Sequence, residues 1–344
     1  MISIDGSAGE GGGQILRTAL ALAIITQTPF EIDRIRARRQ NPGLRRQHLA
    51  AVHAAQRVCD GQVRGAALGS TTLEFRPGPV RAGEYHVDTG TAGSTSLVFQ
   101  TVLPPLLLAA EPSVLTLCGG THNPHAPPFE FLRHTFAPLI ERMGPRVSLT
   151  LERHGFYPAG GGELQAVIEP APLRPIDIVA RGAVRRVSAR ALVANLPAHI
   201  AERELRAVHD SLCVPLDVGT VETCAAQGPG NALLIRVESE HADEVFAAFG
   251  ERGVPAERIA RQAADEANRY LASAAAVGGH LADQLLLPFA LAGSGSFTTL
   301  PLSGHARTNI DVIQRFLAAQ VELTPLRADD STGARAGAVC VRIR

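Results

Sequence analysis

A threefold internal repeat constrains the fold of this sequence more than any other feature. Three segments place small residues before a glutamine and an apolar run with helical spacing, and their glutamines are Gln14, Gln100 and Gln284. Each segment is followed by a predicted strand, a loop, a second predicted helix and a closing pair of predicted strands. The chain is therefore expected to have an α/β body built from three units.

The spacing of the repeat indicates an interruption in the third unit. Gln14 and Gln100 are 86 positions apart, whereas Gln100 and Gln284 are 184 apart, which leaves nearly one hundred extra residues. The extra segment, residues 185–275, contains two predicted helices and two predicted strands, which is enough for a small α+β domain. We therefore predict a main domain formed by residues 1–184 and 276–344, with residues 185–275 inserted into it.

The basic residues exclude two classes of nucleotide-dependent enzyme. All 33 of them are arginine, so the chain has no lysine for a P-loop and none for a ligase that adenylates a lysine. Any covalent nucleotide intermediate must therefore form on another nucleophile. Arginine is also well suited to bidentate binding of phosphate.

Cysteine usage and hydropathy predict where the protein resides. The five cysteines are scattered and have no zinc-type spacing, a usage that suits a reducing cytoplasm. No apolar run reaches the length of a transmembrane helix, and the first residues do not resemble a secretory signal. A cytoplasmic protein without a membrane-spanning segment is therefore expected.

The segment of residues 303–309 is a candidate for the reactive centre. Its glycine-containing loop brings His305 to the start of a predicted helix, where unpaired N–H groups and partial positive charge attract phosphate. With Arg307 beside it, His305 could attack a phosphorus atom. Taken alone, the segment is more typical of a histidine in a surface loop.

Two further stretches are candidates for binding an anion. The glycine-rich turn before Gln14 opens a helix and lets the backbone approach a phosphate, and Glu10 within it could hold a divalent cation or cap the helix. Residues 34–46 contain six arginines and no acidic residue, which indicates either a polyanion site or a solvated loop. At the third repeat, Asp283 and Gln284 could bind a sugar or a base, and Asp283 could instead cap its helix.

Six segments together resemble the RNA 3′-terminal phosphate cyclase family. They span nearly the whole chain, and they are residues 10–17, 36–48, 93–104, 153–162, 282–284 and 304–309. The resemblance implies an α/β (α+β) fold of three repeated units, each with two helices on a four-stranded sheet, plus an inserted smaller α+β domain. A homodimer would be consistent with the same family.

The resemblance also implies an ATP-dependent enzyme, a nucleotidyl-transferring ligase that acts on RNA 3′-phosphate ends. In such enzymes a histidine attacks the α-phosphorus of ATP, which forms a histidine–AMP adduct and releases pyrophosphate. AMP then passes to the RNA 3′-phosphate, and the neighbouring 2′-hydroxyl closes a 2′,3′-cyclic phosphate and expels AMP. His305 aligns with the nucleophile of the family, which agrees with the absence of lysine.

Other site residues carry over from the family position by position. His280 stands where bacterial members usually have a tyrosine, and because both rings are planar we expect altered stacking on adenine rather than loss of binding. Glu10 aligns with a residue near the nucleotide phosphates and a divalent cation, Mg²⁺ or Mn²⁺. The implied nucleotide contacts are Glu10, Gln14, Gln100, Pro127, His280, Leu281, Ala282, Asp283 and Gln284. The implied contacts to the substrate phosphate are Arg17, Arg36, Arg39, Arg46, Gln47 and His48.

Two other classes of protein share part of this pattern. A non-catalytic relative that binds RNA or proteins during ribosome assembly would lack the histidine that this chain has at position 305. A transferase resembling the enolpyruvyl transferases would share the repeated units and need a basic anion site, but it would not need a nucleophilic histidine. The joint matches in separated segments favour the cyclase.

Overall fold

The first repeated unit is a four-stranded sheet with two helices. The computed structural model describes residues 1–326 and 337–344. The elements of this unit are β1 (Ile2–Asp5), α1 (Gly13–Thr26), β2 (Phe30–Asp33), α2 (Arg46–Cys59), β3 (Gln62–Arg64) and β4 (Leu73–Arg76). The strand order is β1-β2-β4-β3, with β1 parallel to β2 and the other two pairs antiparallel.

The second unit repeats this topology. Its elements are β5 (Glu84–Asp88), α3 (Thr95–Leu107), β6 (Ser113–Gly119), α4 (Phe129–Phe131), a π-helical turn (Leu132–Phe136), α5 (Ala137–Arg142), β7 (Arg146–Arg153) and β8 (Gly162–Glu169). The strand order is β5-β6-β8-β7, and again only the first pair is parallel. The second helix of this unit is interrupted by the π-helical turn, so it is less regular than α2.

The third unit is interrupted after its first strand. That strand is β9 (Asp177–Ile178), and a separate sheet with two helices follows it. The elements of this inserted segment are β10 (Val184–Ala194), α6 (His199–Ser211), β11 (Val218–Thr223), β12 (Gly230–Ser239), β13 (Glu244–Phe249) and α7 (Ala256–Leu271). Its strand order is β11-β10-β12-β13.

After the inserted segment the chain completes the third unit. The remaining elements are α8 (Gly279–Leu291), β14 (Gly295–Thr299), α9 (Gly304–Phe316), β15 (Val321–Pro325) and β16 (Val339–Ile343). With β9 they form the order β9-β14-β16-β15, which matches the first two units. The predicted fold class is therefore confirmed, whereas the domain boundaries at 184/185 and 275/276 stay a prediction.

The core of the repeated body is built around α1. This helix is rich in alanine, leucine and isoleucine, and it is buried on most of its surface because it contacts α2, α3 and α9. The inserted segment has a second apolar cluster, in which the small residues Ala260, Ala263, Ala264 and Ala267 let α7 lie close to its sheet. No helix among the described residues is both long and apolar enough to span a membrane.

Two helix starts differ from the sequence prediction. Asparagine and proline in the sequence predict that the second helices of the first two units begin near residues 41–43 and 123–125, but these helices begin at Arg46 and Phe129. Gly43 and His125 have φ angles of 77° and 62°, which lie outside the helical region, so neither segment can belong to a right-handed helix. The second helix of the third unit, α9, begins at Gly304, as predicted.

Three strands were not predicted at all. Strand β9 has two residues, too few to show an alternation of apolar and polar side chains. Strand β10 lies where the insertion is predicted to begin, and β13 opens with a charged residue, Glu244, that is buried in the structure. These strands are defined by their neighbours in the sheet more than by their own pattern.

Candidate active site

The imidazole of His305 is exposed at the first turn of α9. Ser303 caps the helix, and its side chain accepts a hydrogen bond of 3.1 Å from the backbone N–H of Ala306. The free N–H groups of this turn favour an anion next to the ring. The loop therefore delivers a histidine to a place where a phosphate group would be stabilised.

A hydrogen-bonded line from His305 through Gln14 to Asp283 fixes the state of the imidazole. The Nε2 group of Gln14 lies 2.8 and 2.9 Å from the two carboxylate oxygens of Asp283, so it donates to them. The Oε1 atom of the same amide lies 3.0 Å from His305 Nδ1 and can only accept. In the neutral ring Nδ1 therefore carries the proton, and the lone pair of Nε2 is free for nucleophilic attack.

Asp283 is held by groups from two other helices. Burial raises the pKa of its carboxyl, although Gln14, His305 and other neighbours oppose this shift. The side chain of Asn309 on α9 donates to the backbone carbonyl of Asp283 at 3.1 Å and to Oδ1 at 3.2 Å. Thr18 on α1 in turn donates to Asn309 Oδ1 at 2.9 Å. These bonds join α1, α8 and α9 behind the imidazole.

Thr18 and Asn309 were missed as positioning residues. Asn309 belonged to the segment that resembled the cyclases, but no role was assigned to it. Both side chains are buried, and burial of an amide without partners is costly, so their pairing stabilises the arrangement. The available signal was the position of the asparagine, four residues after His305 and so on the same face of the predicted helix.

A cleft of about 1920 Å³ opens on one side of His305. Gln100, Pro127, His280 and Gln284, for which the family resemblance implies contacts to the nucleotide, all line this cleft. Gln100 and Gln284 are equivalent positions of the repeat, and their side chains hydrogen bond to each other. The repeat therefore brings these two glutamines together in one cleft.

Leu281 and Ala282 differ from the other predicted contacts. Both side chains are completely buried in the core of the repeated body. Only their backbone could face a ligand, and their side chains hold α8 in place beneath His280. The structure therefore assigns these two side chains to packing.

On the other side of His305 lies the glycine-rich turn that carries Glu10. The backbone N–H of Glu10 lies 3.2 Å from Thr308 Oγ1, so the turn rests on the first turn of α9. A Cβ atom placed on Gly304 would lie 2.4 Å from Glu10 Oε1, which locates the carboxylate beside the start of that helix. Arg39 donates to the backbone carbonyl of Glu10 at 3.3 Å and lies 3.8 Å from its carboxylate. One anion and one cation thus flank the histidine.

His48 lies under this turn as a neutral hydrogen-bond donor. Its ring is buried, and Nδ1 accepts a hydrogen bond of 3.0 Å from the backbone N–H of Arg45. Burial, together with the positive charges of Arg17, Arg36 and Arg45, lowers the pKa of His48 to about 3. Because Nδ1 accepts, the proton is on Nε2, which points toward the start of α1 at Gly13.

The remaining basic residues have different roles. Burial lowers the pKa of Arg17 to about 10, so it keeps its charge near neutral pH beside His48. Arg36 donates to two carbonyl oxygens of its own loop at 2.6 and 3.0 Å, which makes it part of the loop structure. Arg46 is exposed, and Gln47 packs near Gly93. Arg17, Arg39 and His48 thus lie around the glycine-rich turn that is next to His305.

A sequence model of the RNA 3′-terminal phosphate cyclases matches residues 8–323. The chain belongs to the RNA 3′-terminal phosphate cyclase family. It is 53% identical over 326 residues to the RNA 3′-terminal phosphate cyclase of Koribacter versatilis, which covers 94% of this chain and 92% of that protein. It is 52% identical to the enzyme of the same name from Pseudomonas fluorescens and 51% identical to that of Salmonella agona, with 95% of each chain covered.

Membership of the cyclase family makes this chain an enzyme of the ligase type, as the resemblance implied. The match from residue 8 to residue 323 includes Glu10, His305 and the inserted segment. The family match therefore covers the residues on both sides of His305.

Substituting Gly13 by alanine is expected to damage this cyclase-family site and destabilise the protein. A Cβ atom at Gly13 would lie 2.4 Å from His48 Nε2 and 2.9 Å from a guanidinium nitrogen of Arg17. Because His48 is buried, the ring cannot move aside freely, and overpacking of this kind costs about 1–3 kcal/mol. A lowered melting temperature would be measured by thermal denaturation.

Gly279→Ala is the matched control for this substitution. Gly13 and Gly279 are both the first residue of a helix, but a Cβ atom at Gly279 has no neighbour within 4 Å. The melting temperature of Gly279→Ala should therefore equal or exceed that of the unsubstituted protein. Equal losses in both variants would show that crowding of His48 is not the cause.

Proposed function

We propose that this protein uses ATP to convert an RNA 3′-terminal phosphate into a 2′,3′-cyclic phosphate. The observation that carries the proposal is the line from Asp283 through Gln14 to His305, which leaves Nε2 of an exposed imidazole unprotonated. The names of its relatives support the reaction class. The direct test is to incubate the protein with α-labelled ATP, with and without an RNA that ends in a 3′-phosphate, and to follow the label.

The first step is adenylation of His305. The lone pair of Nε2 attacks the α-phosphorus, a P–N bond forms, and the bond to the β-phosphate oxygen breaks with release of pyrophosphate. Gln14 accepts a hydrogen bond from Nδ1–H throughout, so the positive charge that develops on the ring is stabilised by an amide oxygen whose amide is held by Asp283. The cleft with Gln100, Pro127, His280 and Gln284 is the place for the nucleoside.

The second and third steps use the cationic side of the site. An oxygen of the RNA 3′-phosphate attacks the phosphorus of the adduct, the P–N bond breaks, and His305 is restored. The ribose 2′-hydroxyl then attacks the 3′-phosphate, loses its proton and expels AMP. Arg17, Arg39 and the Nε2–H group of His48 are the donors that would hold the anionic end beside His305.

The acidic group available for a divalent cation is Glu10. Among the described residues, no three histidine, cysteine, aspartate or glutamate side chains form a metal-binding group. A single carboxylate next to a triphosphate site is a common way to hold Mg²⁺, whose other ligands are phosphate oxygens and water. Glu10 could serve as the protein ligand of such an ion. The bound ion would neutralise charge on the leaving pyrophosphate.

Arg39→Ala is expected to lower turnover of RNA 3′-phosphate ends by about 10-fold to 100-fold, the usual effect of losing a charge-assisted hydrogen bond. Arg39 is 44% exposed, so its loss should change the melting temperature little. Steady-state kinetics with a short RNA, together with thermal denaturation, would check both statements.

Arg38→Ala is the control, because Arg38 is the exposed neighbour of Arg39 and lies outside the group around His305. It should keep both turnover and melting temperature. If Arg39→Ala instead kept full turnover and melted earlier, Arg39 would be a structural residue that holds the turn of Glu10.

A further inference from the structure

One of the segments that resemble the cyclase family, residues 153–162 between β7 and β8, takes no part in the three proposed steps. Packing accounts for several of its side chains: Arg153 donates to Glu163 at 2.6 Å, and the ring of Phe156 is buried. The ring of Tyr157 is different, because it is 70% exposed although its neighbour in the chain belongs to the core. The role of Tyr157 is therefore not explained by packing.

Tyr157 is also unusual among the aromatic side chains of the protein. The sequence has twelve phenylalanines, three tyrosines and no tryptophan, and all fifteen rings lie in the part of the chain that the structure describes. Tyr157 is the one exposed ring among them, and it lines the cleft that opens beside His305. Because aromatic rings usually bury a large apolar area in the core or at an interface, an exposed ring at a cleft indicates a contact with a ligand.

The backbone around Tyr157 is held in place. The N–H group of Gly160 donates to the carbonyl oxygen of Phe156 at 2.7 Å, which closes a tight turn around the tyrosine. Phe156 also pairs with His122 in an isolated bridge, and its ring lies over Gly230 of the inserted segment, where a Cβ atom would overlap it. Since the turn is fixed, Tyr157 can bind a ligand without the entropic cost of ordering a loop.

The turn that carries this ring stands on the side of the cleft where the substrate phosphate is placed. A Cβ atom on Gly160 would lie 2.9 Å from Ala92 Cα, so the turn packs on the loop before α3. In the same loop, a Cβ atom on Gly93 would lie 3.1 Å from Gln47 Cβ, and Gln47 precedes His48 in α2. Contacts therefore lead from this turn to the residues that would hold the RNA 3′-phosphate, a placement that rests on the proposed function.

The cleft is large enough for more than the adenylate. Its volume is about 1920 Å³, whereas a pocket for one small molecule usually has about 300–1000 Å³. Pro127 and His280, which are placed at the nucleotide, lie at the starts of α4 and α8, whereas Tyr157 belongs to the turn between β7 and β8. The cleft therefore has room for a nucleotide of the RNA beside the adenylate.

We propose that Tyr157 stacks on a base of single-stranded RNA near its 3′ end. Proteins that bind single strands combine cationic groups for the backbone with aromatic rings for the bases, and this cleft has both within one site. Every base has a π-face, so such a contact holds the RNA without selecting its sequence. The adenylate and the RNA base then occupy different parts of one cleft.

The test measures binding of a short single-stranded RNA with a 3′-phosphate to the full chain without ATP. Loss of the ring in Tyr157→Ala should raise the dissociation constant by about 5-fold to 100-fold, the range expected for one stacked base. Tyr157→Phe keeps the ring and should bind the RNA as the unsubstituted protein does. Leu68→Ala is the control and should keep full affinity, because Leu68 is exposed in the equivalent turn of the first unit, outside the cleft.

Removal of single bases from the RNA identifies the stacked position. Three RNAs each lack one of the last three bases, and one of them should bind the unsubstituted protein about 5-fold to 100-fold more weakly than the intact RNA does. In Tyr157→Ala the same RNA should bind as well as the intact one, since the partner of that base is already gone. If Tyr157→Ala binds intact RNA normally, or if loss of the base weakens binding to both proteins equally, the inference is wrong.

Labelling of the unsubstituted protein by ATP separates this inference from the proposed function. If the protein is labelled but Tyr157→Ala binds RNA normally, the stacking contact is wrong and the cyclase reaction stands. If the protein binds RNA through Tyr157 but is never labelled, the proposed reaction is wrong and the stacking contact stands.

Discussion

His305→Ala should abolish covalent labelling of the protein by α-labelled ATP in the presence of a divalent cation. Alanine has no nitrogen to attack the α-phosphorus, and removal of a nucleophile typically costs on the order of 10⁶-fold in rate. The ring is exposed and lies at the helix surface, so its removal should leave the melting temperature nearly unchanged. The measurement is the amount of label that stays with the denatured protein after electrophoresis.

The chemistry of the label gives a second check on the same residue. A P–N bond to imidazole is labile in acid and more stable in alkali, so the label on the unsubstituted protein should be lost on acid treatment. His209→Ala, which removes an exposed histidine on α6, should be labelled normally. Labelling that persists in His305→Ala would place the nucleophile elsewhere in the chain.

The same variant also separates the steps of the proposed reaction. His305→Ala should fail to process an RNA 3′-phosphate with ATP, but it should still cyclise an RNA end that has been adenylated beforehand. In the third step the 2′-hydroxyl displaces AMP without involvement of the imidazole. Failure with the adenylated RNA would mean that His305 has a further role in cyclisation.

Gln14→Ala should reduce the rate of adenylation by about 10²-fold, the size of effect expected when a reacting group loses its orientation. Gln14 accepts from His305 Nδ1 at 3.0 Å, and its own orientation is set by Asp283. Without it the ring can rotate, and the proton can move to Nε2, where it blocks attack. Single-turnover labelling at saturating ATP measures the chemical step apart from binding.

Gln314→Ala is the control for Gln14→Ala, because this exposed glutamine on α9 hydrogen bonds only to the carbonyl of Ala319 among the described residues. It should be adenylated at the normal rate. An unchanged single-turnover rate in Gln14→Ala, combined with weaker ATP binding, would make Gln14 a nucleotide contact and not a positioning residue for the imidazole.

Much of the fold could be predicted because its signals are local. Apolar residues recur at helical spacing in α1, α3 and α8, and the unequal distances between the repeat glutamines indicated where a segment is inserted. The short strand β9 left no such signal. It is recognisable only by its parallel pairing with β14, which lies more than one hundred residues further along the chain.

The candidate site was predicted as a set of residues but not as an arrangement. The resemblance identified His305 and its neighbours, yet it could not show that Gln14 orients the imidazole or that Arg36 is used by its own loop. It also implied nucleotide contacts for Leu281 and Ala282, whose side chains are buried in the core, so only their backbone could make such contacts. Those distinctions depend on burial and direction, which a linear pattern does not contain.

By itself, the sequence determined three repeated units, an insertion in the third of them, and a histidine at a helix start in a chain without lysine. These properties depend on periodicity, spacing and residue type, all of which are written along the chain. Only the tertiary structure decided that residues 14, 283 and 305 form one hydrogen-bonded line, and that Glu244 of the insertion reaches the same cleft. Such contacts join positions hundreds of residues apart, and their hydrogen bonds exist only once the helices have packed.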